Sequence, residues 1–80
     1  MRAFRVTYNV GGSSGKQEVL LGNFSYIDPH GDLVHCLSRK DPEFNLNSPF
    51  CKITEEKELS MDQVRITDLS ATELRILLGI

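Results

Sequence analysis

Both histidines of the chain and one of its two cysteines lie in a single stretch, SYIDPHGDLVHC, at residues 25–36. These residue types can bind a zinc ion or form a Cys–His catalytic pair, provided that their side chains converge. The segment DPHG at residues 28–31 has turn-forming residues and predicts a hairpin between two strands. Because side chains alternate along a strand, His35 and Cys36 would then point to opposite faces of the sheet.

This predicted hairpin argues against metal binding or catalysis in the stretch. A tetrahedral zinc site made of Asp28, His30, Asp32 and His35 would have poor geometry, and no cysteine pair has zinc-finger spacing. We therefore predict no catalytic residues, no metal and no cofactor, and a metal- or thiol-dependent enzyme is a disfavoured alternative. If the side chains at positions 35 and 36 shared a cleft instead, this case against an enzyme would fail.

The glycine-rich segment GGSSGK at residues 11–16 invites comparison with a phosphate-binding loop. Counting back from Gly15 places Val10 where that motif needs its first glycine, and Gln17 stands where it needs a hydroxyl group. The segment also precedes a predicted strand, so no helix N-terminus would face a phosphate. We therefore do not expect nucleotide binding here.

Alternation of apolar and polar residues predicts the strands that would position these groups. Residues 2–10 alternate strictly, residues 17–27 resume the pattern before the hairpin turn, and a third strand follows that turn. Residues 50–54 and 64–67 predict two shorter strands. The loop at residues 39–50 is the least regular part of the chain, since two prolines and two asparagines interrupt any periodicity.

The C-terminal sequence LSATELRILLGI predicts a capped helix. Ser70 and Glu73 have the spacing of a capping box, Leu69 and Leu74 have that of a hydrophobic staple, and Gly79 is a natural terminator. A helix of about nine residues is not stable alone in water, so it must pack against the sheet.

The chain length and these elements define the predicted fold class. Eighty residues make one domain at most, and we predict a single domain over residues 1–80. The class is α+β: a small antiparallel, strongly bent sheet or SH3-like partial barrel of about five strands, with a C-terminal helix. No signal-peptide core or bilayer-spanning apolar run is present, which favours a cytoplasmic protein that does not bind membranes.

The net charge of −2 is unevenly distributed between the two halves of the chain. Residues 1–40 carry five basic and three acidic residues, whereas residues 41–80 carry four basic and eight acidic residues. A general nucleic-acid binder shows a basic face, which this overall charge disfavours. The basic N-terminal half keeps one alternative open, a small β-barrel that binds single-stranded nucleic acid through basic and aromatic side chains.

The favoured function is therefore a non-catalytic protein-binding module. Such a module could act as a small stoichiometric regulator or inhibitor of a larger enzyme or complex. The identity of its protein partner does not follow from the sequence. A domain this small has a thin margin of stability, which homodimerisation would raise.

The predicted contact residues lie in the 39–50 loop and in the acidic segment at residues 55–62. They are Arg39, Lys40, Phe44, Leu46, Glu55, Glu56 and Glu58. Phe44 and Leu46 are the apolar residues in the interior of an otherwise polar loop. They either pack beneath the loop, which is the commoner outcome, or are offered to a partner.

Overall fold

The computed structural model describes residues 1–79 of the chain. Its regular elements are three strands, two α-helices and two short 3-10 turns. In chain order they are β1 (Arg2–Val10), β2 (Ser13–Gly22), α1 (His30–Lys40), β3 (Lys52–Leu59), the 3-10 turns Met61–Gln63 and Ile66–Asp68, and α2 (Ala71–Leu78). No helix in this described part of the chain is long and apolar enough to span a membrane.

The strands form one antiparallel sheet in the order β2-β1-β3. The α+β class, the antiparallel sheet and the C-terminal helix are thus confirmed. The sheet has three strands and is not closed, so the prediction of about five strands in an SH3-like partial barrel is not confirmed. Residues 64–67, predicted as a strand, form none: Ile66 and Thr67 belong to the 3-10 turn Ile66–Asp68. The strand β3 instead runs on through the polar residues after position 54.

The predicted hairpin at residues 28–31 is wrong, because residues 30–40 form α1. Pro29 is the N-cap of this helix, and the Asp28 carboxylate accepts a hydrogen bond from the His30 amide (3.3 Å). Asp and Pro suit the start of a helix as well as a turn, since proline lacks the amide that a first turn leaves unpaired. Leu33 and Leu37 are the buried residues of α1, and their spacing of four is the helical signal that was available.

The main core lies between α1 and one face of the sheet. Alternate residues of β1 point toward the helix, as their predicted period of two requires. The buried residues of this core are Phe4, Val6, Tyr8, Val10, Leu20, Phe24, Leu33, Leu37 and Phe44. A smaller cluster on the opposite face consists of Ala3, Val19, Leu21 and Leu59, against which Val64 and Leu69 pack.

The helix α2 has the predicted caps. The Ser70 hydroxyl accepts a hydrogen bond from the Glu73 amide (3.2 Å), the Glu73 carboxylate accepts one from the Ser70 amide (2.9 Å), and Gly79 is left-handed with a φ of 76°. The buried residue of this helix is Glu73, whereas Ile76 and Leu78 are exposed. The helix therefore docks mainly through a carboxylate, and its apolar residues contribute less than expected.

The loop after α1 closes one end of the core through a buried polar group. The Asp41 carboxylate accepts hydrogen bonds from the Tyr8 hydroxyl (2.6 Å) and from the Lys16 ammonium (3.1 Å). The Phe44 ring packs edge-on against the Tyr8 ring, with centroids 5.8 Å apart. Asp41 thereby fixes the start of the loop and Phe44 fills the space beneath it.

We expect the acid sensitivity of the fold to depend on Asp41. The hydrogen bond from Tyr8 holds the pKa of the Asp41 carboxyl below its ordinary value, and Lys16 acts in the same direction. Such a carboxyl stabilises the fold above its unfolded-state pKa of about 3.9, and this contribution is lost as the pH falls through the folded-state pKa. The free energy of urea unfolding should therefore fall on acidification below about pH 5, and should fall less in Asp41→Asn.

The matched control for this prediction is Asp62→Asn, which removes one carboxylate from an exposed position. The free energy of unfolding of this control should vary with pH as that of the wild type does. An Asp41→Asn profile parallel to that of the wild type would show that the Tyr8–Asp41 bond does not contribute to acid sensitivity.

Candidate functional site

The helix α1 crosses the sheet from β3 to β2. At its first residue, the His30 imidazole hydrogen-bonds the Glu56 carboxylate of β3. At its last residue, the Lys40 ammonium donates to the Val19 carbonyl of β2. The predicted contact residues at the end of this helix and those in the acidic segment therefore lie at opposite edges of the sheet and do not form one surface.

Two charged side chains, Lys40 and Glu73, cover part of the edge of β2, and we call this pair the edge clamp. The Lys40 ammonium lies 2.8 Å from one Glu73 carboxylate oxygen and donates to the carbonyls of Val19 and Asp68, the latter at 2.7 Å. The other Glu73 oxygen accepts a hydrogen bond from the Leu21 amide (3.0 Å). The clamp thus occupies backbone groups of β2 that another strand would otherwise pair with.

Glu73 is buried and Lys40 is largely shielded from water, with side chains 7% and 13% exposed. A buried charge needs a partner and hydrogen bonds to offset its lost hydration, and both groups have these here. Lys40 as a partner-contact residue stays a prediction, but the structure places its ammonium among internal groups. Arg39, by contrast, is exposed.

The opposite edge of the sheet, formed by β3, is open. Successive residues of a strand in an antiparallel sheet direct their backbone N–H and C=O groups alternately toward one neighbouring strand and toward the other. The backbone groups of Val19 and Leu21 point outward from β2. Through the pairings with β1, those of Glu56 and Glu58 therefore point outward from β3. Within residues 1–79, no strand lies beyond β3 and no hydrogen bond reaches these outward backbone groups. The predicted contact residues Glu55, Glu56 and Glu58 all lie on this strand.

The side chains along β3 are held by contacts with the rest of the fold. Arg2 donates two hydrogen bonds to the Glu58 carboxylate, from Nε (3.0 Å) and from Nη2 (2.7 Å). These bonds lower the pKa of Glu58 and raise that of Arg2. Glu56 is held by His30, and both carboxylates face the α1 side of the sheet, whereas Glu55 faces the other side.

Next to this edge, the loop between β2 and α1 displays two apolar side chains, Tyr26 and Ile27, which are 81% and 97% exposed. The loop is nevertheless well fixed. The Ser25 hydroxyl accepts from the amides of Ile27 and Asp28 (both 3.3 Å), and the Asp32 carboxylate accepts from the Ser25 amide (2.8 Å). The sequence predicts that residues 17–27 form one strand, whereas β2 ends at Gly22 and leaves Tyr26 and Ile27 in an exposed loop.

Arg2 connects the loop to the open edge. Its guanidinium donates to the Ser25 carbonyl (2.6 Å) and lies 4.7 Å from the centroid of the Tyr26 ring, while the same group binds Glu58. The Tyr26–Ile27 loop and the end of β3 therefore form one continuous surface. We call it the β3-edge surface and define it by Tyr26, Ile27, Glu56 and Glu58.

His35 and Cys36, neighbours in sequence with catalytic potential, line one cleft of about 660 Å³ between α1, the end of β2 and α2. The prediction that they point to opposite sides of a sheet is wrong, because they are successive residues of a helix. The argument against an enzyme that depended on strand geometry therefore no longer holds.

The chemistry of this cleft is nevertheless unfavourable for thiol catalysis. Successive residues of a helix do not face each other, and within residues 1–79 no hydrogen bond joins the imidazole of His35 to the thiol of Cys36. Burial raises the pKa of the Cys36 thiol, with the Glu73 carboxylate adding to the effect. A raised thiol pKa lowers the fraction of the nucleophilic thiolate.

The side chains of the other residues considered for metal binding are held at different places by separate contacts. Asp28 bonds the His30 amide, Asp32 bonds the Ser25 amide, and His35 lies in the cleft. Across the described residues, no three His, Cys, Asp or Glu side chains are grouped so that they could hold a metal ion.

The basic residues of the N-terminal half, on which the nucleic-acid alternative depends, are mostly paired with carboxylates. Arg2 binds Glu58, Lys40 binds Glu73, and the Lys16 ammonium lies 3.1 Å from Asp41. These pairs leave less free positive charge for phosphates than the sequence indicates.

Comparisons with known proteins identify no relative from which a role could be transferred. The chain matches no family model, no curated protein and no solved structure. Its function must therefore be inferred from the contacts, burial and charges of its own residues.

Proposed function

We propose that this protein is a non-catalytic protein-binding module that takes an extended segment of its partner as a fourth strand beside β3. The observation that carries the proposal is the difference between the two edges of the sheet. The edge clamp occupies outward backbone groups of β2, whereas the outward groups of Glu56 and Glu58 on β3 have no partner within residues 1–79. An added strand would pair with them, and such main-chain bonds are a common source of affinity.

The Tyr26–Ile27 loop supports this proposal. Tyrosine is enriched among the residues that contribute most to binding energy at protein interfaces. The hydrogen bonds of Ser25 and the stacking of Arg2 hold the loop in place before any partner arrives. A surface that is already ordered loses less conformational entropy on binding.

The charges along β3 disfavour a second copy of the chain as the added strand. Glu55, Glu56 and Glu58 give the strand an excess of carboxylates over its two lysines, Lys52 and Lys57. Two such strands side by side would bring like charges together, which is destabilising in a sheet. A different protein is therefore the favoured partner. As a small regulator or inhibitor, this protein could bind its target through the β3 edge alone.

The proposal is tested by blocking one outward amide of β3 while the ladder with β1 stays intact. Because residue 51 is a cysteine, a synthetic segment 51–80 carrying N-methyl-Glu58 can be ligated to residues 1–50. Methylation removes the outward donor and obstructs an incoming strand. We expect a partner captured from native lysate to bind at least about tenfold more weakly to this protein.

The matched control carries N-methyl-Met61 in the same segment, at an exposed residue just after the strand. Circular dichroism should first show that both semisynthetic proteins fold like the wild type. Loss of the partner with N-methyl-Glu58 but not with N-methyl-Met61 would support strand addition at β3. Equal capture by both proteins would exclude the β3 edge as the binding site.

A further inference from the structure

The charge around the open edge indicates the chemistry of the added strand. Three carboxylates, those of Asp28, Glu56 and Glu58, lie at or beside the β3-edge surface, where the basic groups in contact with Glu58 and Glu56 are Arg2 and His30. The carboxylates outnumber these basic groups, so negative charge is in excess. A strand carrying positive side chains would be attracted to this edge, and one carrying carboxylates would be repelled.

The excess of negative charge lies on one side of the sheet. Glu56 and Glu58 face α1, whereas Lys57 and Glu55 face the opposite side and offset each other. Side chains of an added strand also alternate between these two sides. Positive residues are therefore required only at alternate positions, those that lie beside Glu56 and Glu58 on the α1 side.

Tyr26 and Ile27 add an apolar requirement at the same edge. Both side chains are almost fully exposed, and Ile27 can be covered only by a partner that brings apolar surface to it. The Tyr26 ring lies against the guanidinium of Arg2, which in turn binds Glu58, so this apolar contact lies beside the acidic one.

From these contacts, and assuming the strand addition proposed above, we infer that β3 binds an extended basic segment with lysine or arginine at alternate positions and apolar residues between them. The partner is thus a protein with a basic, apolar strand or tail. Its positive side chains lie beside Glu56 and Glu58, and an apolar residue covers Ile27.

The probe for this inference is an acetylated, amidated octapeptide of alternating lysine and valine, labelled with fluorescein and titrated at low ionic strength. We expect saturable binding to the wild-type protein. Binding should weaken about threefold in Glu56→Gln and by less than about 1.5-fold in Glu55→Gln. Each variant loses one negative charge, and the two positions are neighbours on β3. They differ in the side of the sheet that the side chain faces.

Three outcomes of this titration would contradict the inference. An octapeptide of alternating glutamate and valine that bound as tightly as the lysine peptide would overturn the inferred charge preference. Equal weakening by Glu55→Gln and Glu56→Gln would overturn the inferred side, and no binding of the lysine peptide would overturn the inference as a whole. Strand addition itself is judged separately, by the effect of N-methyl-Glu58 on the native partner.

Discussion

Replacing Lys40 with alanine should lower the free energy of unfolding by about 3–5 kcal/mol, the usual cost of removing one partner from a buried ion pair. The Glu73 carboxylate would stay buried without its cation. The carbonyls of Val19 and Asp68 would lose a donor at the same time. Since a domain of this size has only a few kcal/mol of stability, much of the variant should be unfolded at 25 °C.

Urea unfolding followed by circular dichroism measures this effect, and Arg39→Ala is the matched control. Arg39 precedes Lys40 on the same helix but is exposed, so its replacement should change stability by less than about 0.5 kcal/mol. Glu73→Gln should fall between the two, because an amide oxygen can still accept the Leu21 hydrogen bond. Similar stabilities for Lys40→Ala and Arg39→Ala would contradict a stabilising role for the edge clamp.

Loss of the edge clamp should also change how the protein associates. The clamp covers outward backbone groups at Val19 and Leu21, in an apolar part of β2. An uncovered apolar edge pairs readily with other chains. Folded Lys40→Ala protein should therefore self-associate at concentrations where the wild type and Arg39→Ala do not, which sedimentation velocity can show.

The second large effect should be seen at Phe44, whose replacement by alanine should destabilise the protein by about 3–5 kcal/mol. Its ring is only 3% exposed and packs on Tyr8, so truncation would leave a cavity beneath the loop. Leu46, in the same loop, is 43% exposed, and Leu46→Ala should cost less than about 1 kcal/mol.

This pair of variants separates the two readings that the sequence left open for the apolar residues of the loop. Melting temperatures and urea midpoints would be compared with the wild type. A large loss for Phe44→Ala alone would place Phe44 in the core and leave Leu46 available for contact. An unchanged melting temperature for Phe44→Ala would mean that its ring does not contribute to the core.

The elements that the sequence predicted well are those with a strong local pattern. The strict alternation of residues 2–10 specifies β1, because a period of two places one set of side chains in the core. Ser70, Glu73 and Gly79 specify both ends of α2 through hydrogen bonds that span only a few residues. Such signals need no knowledge of the rest of the fold.

The first helix was missed because its local signals are ambiguous. The segment DPHG is equally suited to a turn and to a helix start, and the residues after it also alternate over a short stretch. Only the packing of Leu33 and Leu37 on the sheet favours the helical period over the strand period. With α1 misassigned, Tyr26, His35 and Cys36 were all placed in the wrong surroundings.

By itself, the amino-acid sequence determined the α+β class, the strand at residues 2–10, the capped C-terminal helix and the excess of acidic residues along positions 55–58. Only the tertiary structure decided which sheet edge is partly covered and which is open. Lys40 and Glu73 meet across 33 residues of chain, and Arg2 joins Tyr26 to Glu58 across a similar distance. No local period encodes such pairs, because they form only when α1 has crossed the sheet and brought its two ends to opposite edges.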